Sequence, residues 1–248
     1  MNQIIFSFLI TFLAGITTLL GIIPCYIKNT SKDYIISASL SFAAGVMITI
    51  SLTSLIPESW NLFIKIFRNF PTFLILGIFL SLGVIFSGFI DKKIEDKFSS
   101  NQLYKLGLIS AIALMLHNIP EGITTFLSTS TNLKLGLGLS FAIALHNIPE
   151  GISIAVPIYY ATGNHGKAFF YTLISGFSEF FGAILAYLFI ARFMNDFLLG
   201  MILAMTAGIM IHISFYELIP NARSYQNRIL FYIFGLLGII VMLACLYH

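Results

Sequence analysis

The chain has 248 residues, 58% of them hydrophobic and only 9% charged, with a formal charge of +3. Soluble domains carry roughly 25% charged residues, so a chain of mean hydropathy +0.95 has too little polar surface to face water on all sides. The small charge, spread over short loops, leaves no electrostatic footprint for nucleic acid, and Cys25 and Cys245 have no CxxC spacing that would point to a disulfide scaffold or a thiolate zinc site.

Apolar runs of about 20 residues match the hydrocarbon thickness of a bilayer. Eight such segments are predicted, at roughly 3–27, 34–57, 71–90, 104–129, 135–161, 168–191, 197–219 and 229–247. The first begins at Ile4 with no Lys or Arg before it, so it reads as a retained helix rather than a secretory signal. The breaks are short and polar: "KNTSKD", "NLFIKIFRN", "DKKIEDKFSSNQ", "TSTNLK", "TGNHGK", "ARFMND" and "NARSYQNR". Odd-numbered loops hold Lys28, Lys32, Lys92, Lys93, Lys97, Lys105, Lys167, Arg223 and Arg228. Even-numbered loops hold Lys65, Arg68, Lys134 and Arg192. The excess puts the odd loops in the cytoplasm of a cell-membrane protein and both termini outside. Trp60, just past the second segment, suits the outer interfacial belt.

Two stretches repeat. "LHNIPEG" occurs at Leu116–Gly122 and again at Leu145–Gly151. "AAGVMITISLTSLIPE" from Ala43 in segment two matches "TAGIMIHISFYELIPN" from Thr206 in segment seven, with nine of sixteen positions identical. Segments one and six echo each other through Gly15/Gly176 and Gly21/Gly182. Segments one to three thus resemble six to eight, and four resembles five. Each pairing spans an odd number of crossings, so the partners run in opposite directions. The predicted fold is an all-α integral membrane protein of eight transmembrane helices in a 3+2+3 inverted repeat. It forms one transporter domain over 1–248, with repeats at about 1–90 and 168–248 around central helices 104–129 and 135–161.

Glu121, Glu150, Glu179 and Glu217 fall inside predicted spans, Glu58 ends the second, and His117, His146 and His212 are also inside. With Lys105 grouped among the loop residues, no Lys or Arg is counted inside a span. Each ionisable group at the bilayer centre costs at least about 2.5–3.5 kcal/mol, so these carboxylates call for a cation that the polypeptide does not supply. Residues rotate by about 100° along a helix. His117, Asn118 and Glu121 therefore share one arc, and His146, Asn147 and Glu150 repeat it. Facing arcs bring the histidines together on one side and the asparagines on the other, with the glutamates between. That predicts one metal site at His117, Glu121, His146 and Glu150, and a neighbouring one at Asn118, Asn147 and the shared glutamates. Pro120 and Pro149 each remove an internal amide bond, and Gly122 and Gly151 let helices approach closely. Imidazole with carboxylate and amide oxygen suits Zn²⁺, Fe²⁺, Mn²⁺ and Co²⁺. No resident cofactor is expected; the metal is the cargo.

At these residues the chain resembles the ZIP (ZRT/IRT-like) family of divalent-metal transporters, in particular its bacterial zinc-uptake (ZupT-like) branch. "HNIPEG" in helices four and five, "SGFSEFFGA" in six and "AGIMIHISFYELIP" in seven carry the match. The resemblance implies eight helices in 3+2+3 order, outward termini, a binuclear site in helices four and five, a ligand role for Glu179 at the second position, and metal import. "SGFSEFF" lacks the proline that often follows this glutamate in the branch, and the third loop has no histidines. Other polar residues keep two readings each. Met47 reads as core packing or a soft ligand, and Glu58 and Glu217 as cation-attracting mouth residues or solvated interface groups. His212, opposite Thr49 in the repeat, reads as a packed histidine or a pathway ligand; His165 could meet exiting metal from its loop. The expected partners are divalent metal ions and the lipid bilayer, with surfaces that permit a homodimer. The expected function is a carrier rather than an enzyme. The alternatives are an intramembrane metal-dependent hydrolase, disfavoured because the doubled HxxxE offers no distinct general base, and a passive metal channel.

Overall fold

The computed structural model describes residues 3–28, 30–98, 101–131, 133–189, 195–225 and 228–246. Arg192 and most of its loop lie outside the described residues. Among those described, all regular structure is helical. Eight helices are long and apolar enough to cross a membrane: α1 (Gln3–Tyr26), α2 (Lys32–Phe67), α3 (Asn69–Phe98), α4 (Gln102–Thr131), α5 (Leu133–Thr162), α6 (His165–Leu188), α7 (Asp196–Ser224) and α8 (Arg228–Leu246).

Local chemistry starts these helices. Ser31 accepts from the Tyr34 amide at 3.3 Å, Asn101 from Tyr104 at 3.0 Å, Asn164 from Lys167 at 3.1 Å and Asn195 from Leu198 at 2.9 Å. Each satisfies an amide that the first turn leaves without an intrahelical acceptor. Two helices outrun their apolar segments. The predicted break "NLFIKIFRN" is helical through Phe67, because Leu62, Phe63 and Ile66 keep a helical face while Lys65 reaches outward. The chain then reverses at Arg68 and Asn69, both at positive φ (56° and 41°). Trp60 is therefore part of α2 and packs beside Phe63 rather than standing past the helix. Likewise α3 continues through Asp91, Lys92 and Lys93. Helix α6 runs unbroken through Glu179, in keeping with the absent proline.

Departures from α geometry fall at repeated places. Helices α2 and α7 widen into π turns at Ser51–Leu55 and Ile213–Leu218, each just ahead of the repeated Ile-Pro. Pro57 and Pro220 have no amide to give to the carbonyl four residues back and crowd it with their rings. A wider turn relieves both problems. Buried hydroxyls next to these turns bond backward, Ser51 to the Met47 carbonyl at 2.7 Å and Ser214 to the Met210 carbonyl at 2.8 Å. In lipid such groups have no water to turn to. Helix α1 has no counterpart of its own kind: from Thr17 to Tyr26 it tightens into 3₁₀ geometry.

The packing respects the repeat. Helix α2 lies against α8, and its counterpart α7 lies against α3; α1 lies against α5, and its counterpart α6 against α4. Small residues permit these contacts. A Cβ on Gly122 would run into the Glu179 carbonyl, and one on Gly151 into the Thr18 carbonyl. Gly15 and Gly176 face each other's carbonyls. Helices α2, α4 and α5 are the most enclosed, with α1, α6 and α7 packed beside them. Helices α3 and α8 lie outside and present Phe70, Phe73, Ile85, Ile229, Ile233 and Leu236 outward, where lipid would cover them.

Candidate metal site

Helices α4 and α5 cross at the middle of the bundle with their repeated sequences face to face. His117, Asn118, Glu121, His146, Asn147, Glu150 and Glu179 are all buried, and Glu121 is the most exposed at 7%. His146 Nε2 lies 2.9 Å from Glu121 Oε1. His117 Nε2 lies 3.0 Å from the same oxygen and 3.1 Å from Glu150 Oε1. One ligand atom from each of His117, Glu121, His146 and Glu150 lies within 4.8 Å of all the others. Tetrahedral ligands at about 2.0–2.2 Å from a zinc ion stand about 3.3–3.6 Å from one another, so these donors lie close to the spacing of one coordination shell.

The protein does not satisfy this cluster by itself. His117 Nε2, Glu121 Oε2 and both Glu150 carboxylate oxygens have no hydrogen-bond partner. Although His117 Nε2 is close to two carboxylates, its N–H is not aligned on either. Buried polar atoms without partners cost about 1–3 kcal/mol each, more for charged groups. Several of them converging on one point mark a place for an ion.

The asparagines turn their amide nitrogens away from this cluster. Asn118 Nδ2 donates to the Ser175 carbonyl of α6 at 3.0 Å, and Asn147 Nδ2 donates to the Ala14 carbonyl of α1 at 3.0 Å. Counted from the pair Gly15/Gly176, Ala14 and Ser175 are counterparts, so the same clamp is made twice. Asn147 Nδ2 also donates to Glu179 Oε2 at 2.8 Å. Asn118 Oδ1, Asn147 Oδ1 and Glu179 Oε1 stay without partners. Glu179 thus joins the asparagine side of the site. The counterpart of Glu179 in α1 is Thr18, whose hydroxyl only bonds back to the Gly15 carbonyl at 2.7 Å. Sequence reasoning passed over Thr18, although the glycine pairs that carry the register would have located it.

The remaining candidates lie outside the four-donor cluster. Met47 is fully buried in the main apolar core. Glu58 lines a cavity of about 60 Å³ with Ser54, Glu121, Thr124, His146 and Thr206, so it communicates with the cluster. His212 stacks on Tyr216, with centroids 4.8 Å apart, and sits beside Gly88 of α3. His165 lies between the rings of Tyr26 and Tyr159. Glu217 requires a correction: it does have a cation of the polypeptide. Lys105, grouped above with the loop residues, is a helical residue of α4. Its Nζ lies 3.0 Å from Asp91 Oδ1 and 3.9 Å from Glu217 Oε1. The pairing depends on how α3 and α7 pack on α4, which no local pattern announces.

A family model described as ZIP zinc transporter matches residues 90–246. A zinc transporter ZupT of Oceanobacillus iheyensis is 41% identical, over 92% of this chain and 91% of that protein. Proteins of the same name from Clostridium perfringens and Streptococcus mutans are 36% and 37% identical. They cover 98% and 99% of this chain and 95% and 98% of their own lengths.

Proposed function

The chain belongs to the ZIP zinc transporter family, and from that premise we propose that it imports divalent transition-metal ions, Zn²⁺ above all and Fe²⁺, Mn²⁺ or Co²⁺ alongside, into the cytoplasm. The ion is held between α4 and α5 by His117, Glu121, His146 and Glu150. A second ion position uses Asn118, Asn147, Glu179 and the shared glutamates. The observation that carries this reading is the convergence of four buried donor atoms within 4.8 Å, several of them without any hydrogen-bond partner. Imidazole with carboxylate and no thiolate suits these metals better than Cu⁺, Mg²⁺ or Ca²⁺.

In this reading the ends of α2 and α7 bearing Lys65 and Asp196 face outward. An ion attracted by Glu58 enters the cavity it shares with Glu121 and His146. In this narrow cavity the ion sheds water while carboxylates replace it. The two inverted halves then rearrange and release it on the side of Asp91, Lys105 and Glu217, as alternating access between repeats requires. The protein acts as a carrier: the HxxxE pair gives every ligand a symmetric partner and leaves no separate base to activate water.

The test is flux in liposomes. Purified protein should take up Zn²⁺ with saturation and show counterflow when preloaded, which a passive channel would not. The double variant Glu121→Ala, Glu150→Ala should fall to the level of empty liposomes. Wild-type flux in that variant would end this reading.

A further inference from the structure

The two ends of the bundle should match if the repeat were complete, and they do not. Counted from Met47/Met210, Ser54 and Glu58 of α2 are counterparts of Glu217 and Asn221 of α7. Ser54 and Glu58 line the cavity that reaches Glu121 and His146. Glu217 and Asn221 line a cavity of about 250 Å³ at the opposite end, together with Gln102, Lys105, Pro220 and Ser224, and none of its lining residues belongs to the metal site. One vestibule touches residues of the metal site; the other touches none of them.

Lys105 is among the residues that line the second of these vestibules. Counted from His117/His146, its counterpart in α5 is Lys134, which is exposed and has no carboxylate partner among the described residues. Lys105 instead turns inward. Its side chain is 15% exposed, that of Asp91 19% and that of Glu217 7%, so this three-group bridge lies largely out of water. Exposed ion pairs contribute little because water and salt screen them. A half-sheltered ammonium between two carboxylates on different helices is screened less and ties α3, α4 and α7 together at one point. Helix α4 continues inward from Lys105 to Ser110, buried and with its hydroxyl unpartnered, and on to His117. Ser110 and His117 are two turns apart, about 10 Å along the axis, and so on nearly the same face.

We propose that Lys105 is the latch of the inner mouth: a tethered cation that occupies the Asp91–Glu217 pair, keeps the metal site shut off from the cytoplasm, and must leave that pair for an ion to exit. This rests on the reading of the preceding section that these helix ends face the cytoplasm.

The experiment reads accessibility and flux separately. With Cys25→Ser and Cys245→Ser as background, Ser110→Cys is labelled by a membrane-impermeant thiol reagent applied to the cytoplasmic face of inside-out vesicles. Lys105→Met keeps the side-chain length and removes the charge. It should raise the labelling rate about fivefold to tenfold, the shift expected when a modest bias on a two-state mouth is lifted. Asp91→Asn should do the same from the acceptor side. Lys105→Arg, which preserves both pairs, should label like the parent, and the exchange Asp91→Lys with Lys105→Asp should return labelling toward it. Unchanged labelling in both Lys105→Met and Asp91→Asn, in protein that elutes as folded, overturns the latch. Raised labelling in vesicles whose Lys105 parent moves no zinc would uphold the latch and sink the transport reading instead.

Discussion

Asn118 and Asn147 occupy equivalent places in α4 and α5, and they clamp equivalent carbonyls, Ser175 and Ala14, at the same 3.0 Å. Only Asn147 also meets an acid, Glu179; across the pseudo-axis Asn118 lies on the side of Thr18, a neutral hydroxyl. The scaffold is therefore close to two-fold while the charge placed on it is not. This separation of roles makes physical sense. Packing needs small residues and matched backbones, which a repeat supplies twice. The charge is under no such constraint: one acid on one arm is enough to make the two sides of the site chemically different.

After the double glutamate variant, the largest effect is expected from erasing this difference. Glu179→Thr would give both arms the same neutral group. Zinc bound at the asparagine side should weaken by at least about 10–100-fold, the range seen when only a partner that orients metal ligands is lost, while the His117–Glu121–His146–Glu150 position keeps its ion. Titration calorimetry would show one tight and one weakened event. The mirror change Thr18→Ala removes a hydroxyl already satisfied by the Gly15 carbonyl and should leave both events as they were. Equal losses in the two variants would mean that the acid does not define the second position.

Much of this was legible in the residues themselves. The four donors of the central cluster follow from HxxxE at helical spacing, because His117 and Glu121 must share a face whatever surrounds them. The eight crossings follow from apolar length alone. What the letters hide is of two kinds. Backbone partners such as the Ala14 and Ser175 carbonyls have no signature, since every residue offers one. The Lys105 bridge is invisible for another reason: Asp91, Lys105 and Glu217 are brought together by three helices distant in sequence, so each looks like an ordinary interfacial charge. The π turns fall between. The doubled Ile-Pro marks where α2 and α7 are disturbed, but not that the turn widens rather than breaks.

Symmetry of the scaffold predicts smaller and equal effects at paired glycines. Gly122→Ala and Gly151→Ala each drive a methyl into a backbone carbonyl, of Glu179 and Thr18 respectively. Each should destabilise by about 1–3 kcal/mol, the usual result of overpacking. Gly77→Ala in α3, where a Cβ meets nothing within 4 Å, should be neutral or slightly stabilising through reduced chain entropy. Melting curves in one detergent would rank the three. A loss at Gly122 alone would show that the packing, like the charge, is one-sided.

The smallest effect concerns the mouths. Glu58 lines the vestibule that reaches the site, and its counterpart Asn221 lines the one that does not. A single carboxylate there acts over distance, by raising the local concentration of cations in a narrow cleft. Its influence fades as salt shortens the screening length to about 8 Å at physiological strength. Glu58→Gln should therefore raise KM for zinc about twofold to threefold at low salt, leave the maximal rate unchanged, and match the parent at high salt. A fall in maximal rate that salt does not erase would place Glu58 among the groups that hold the ion rather than those that attract it.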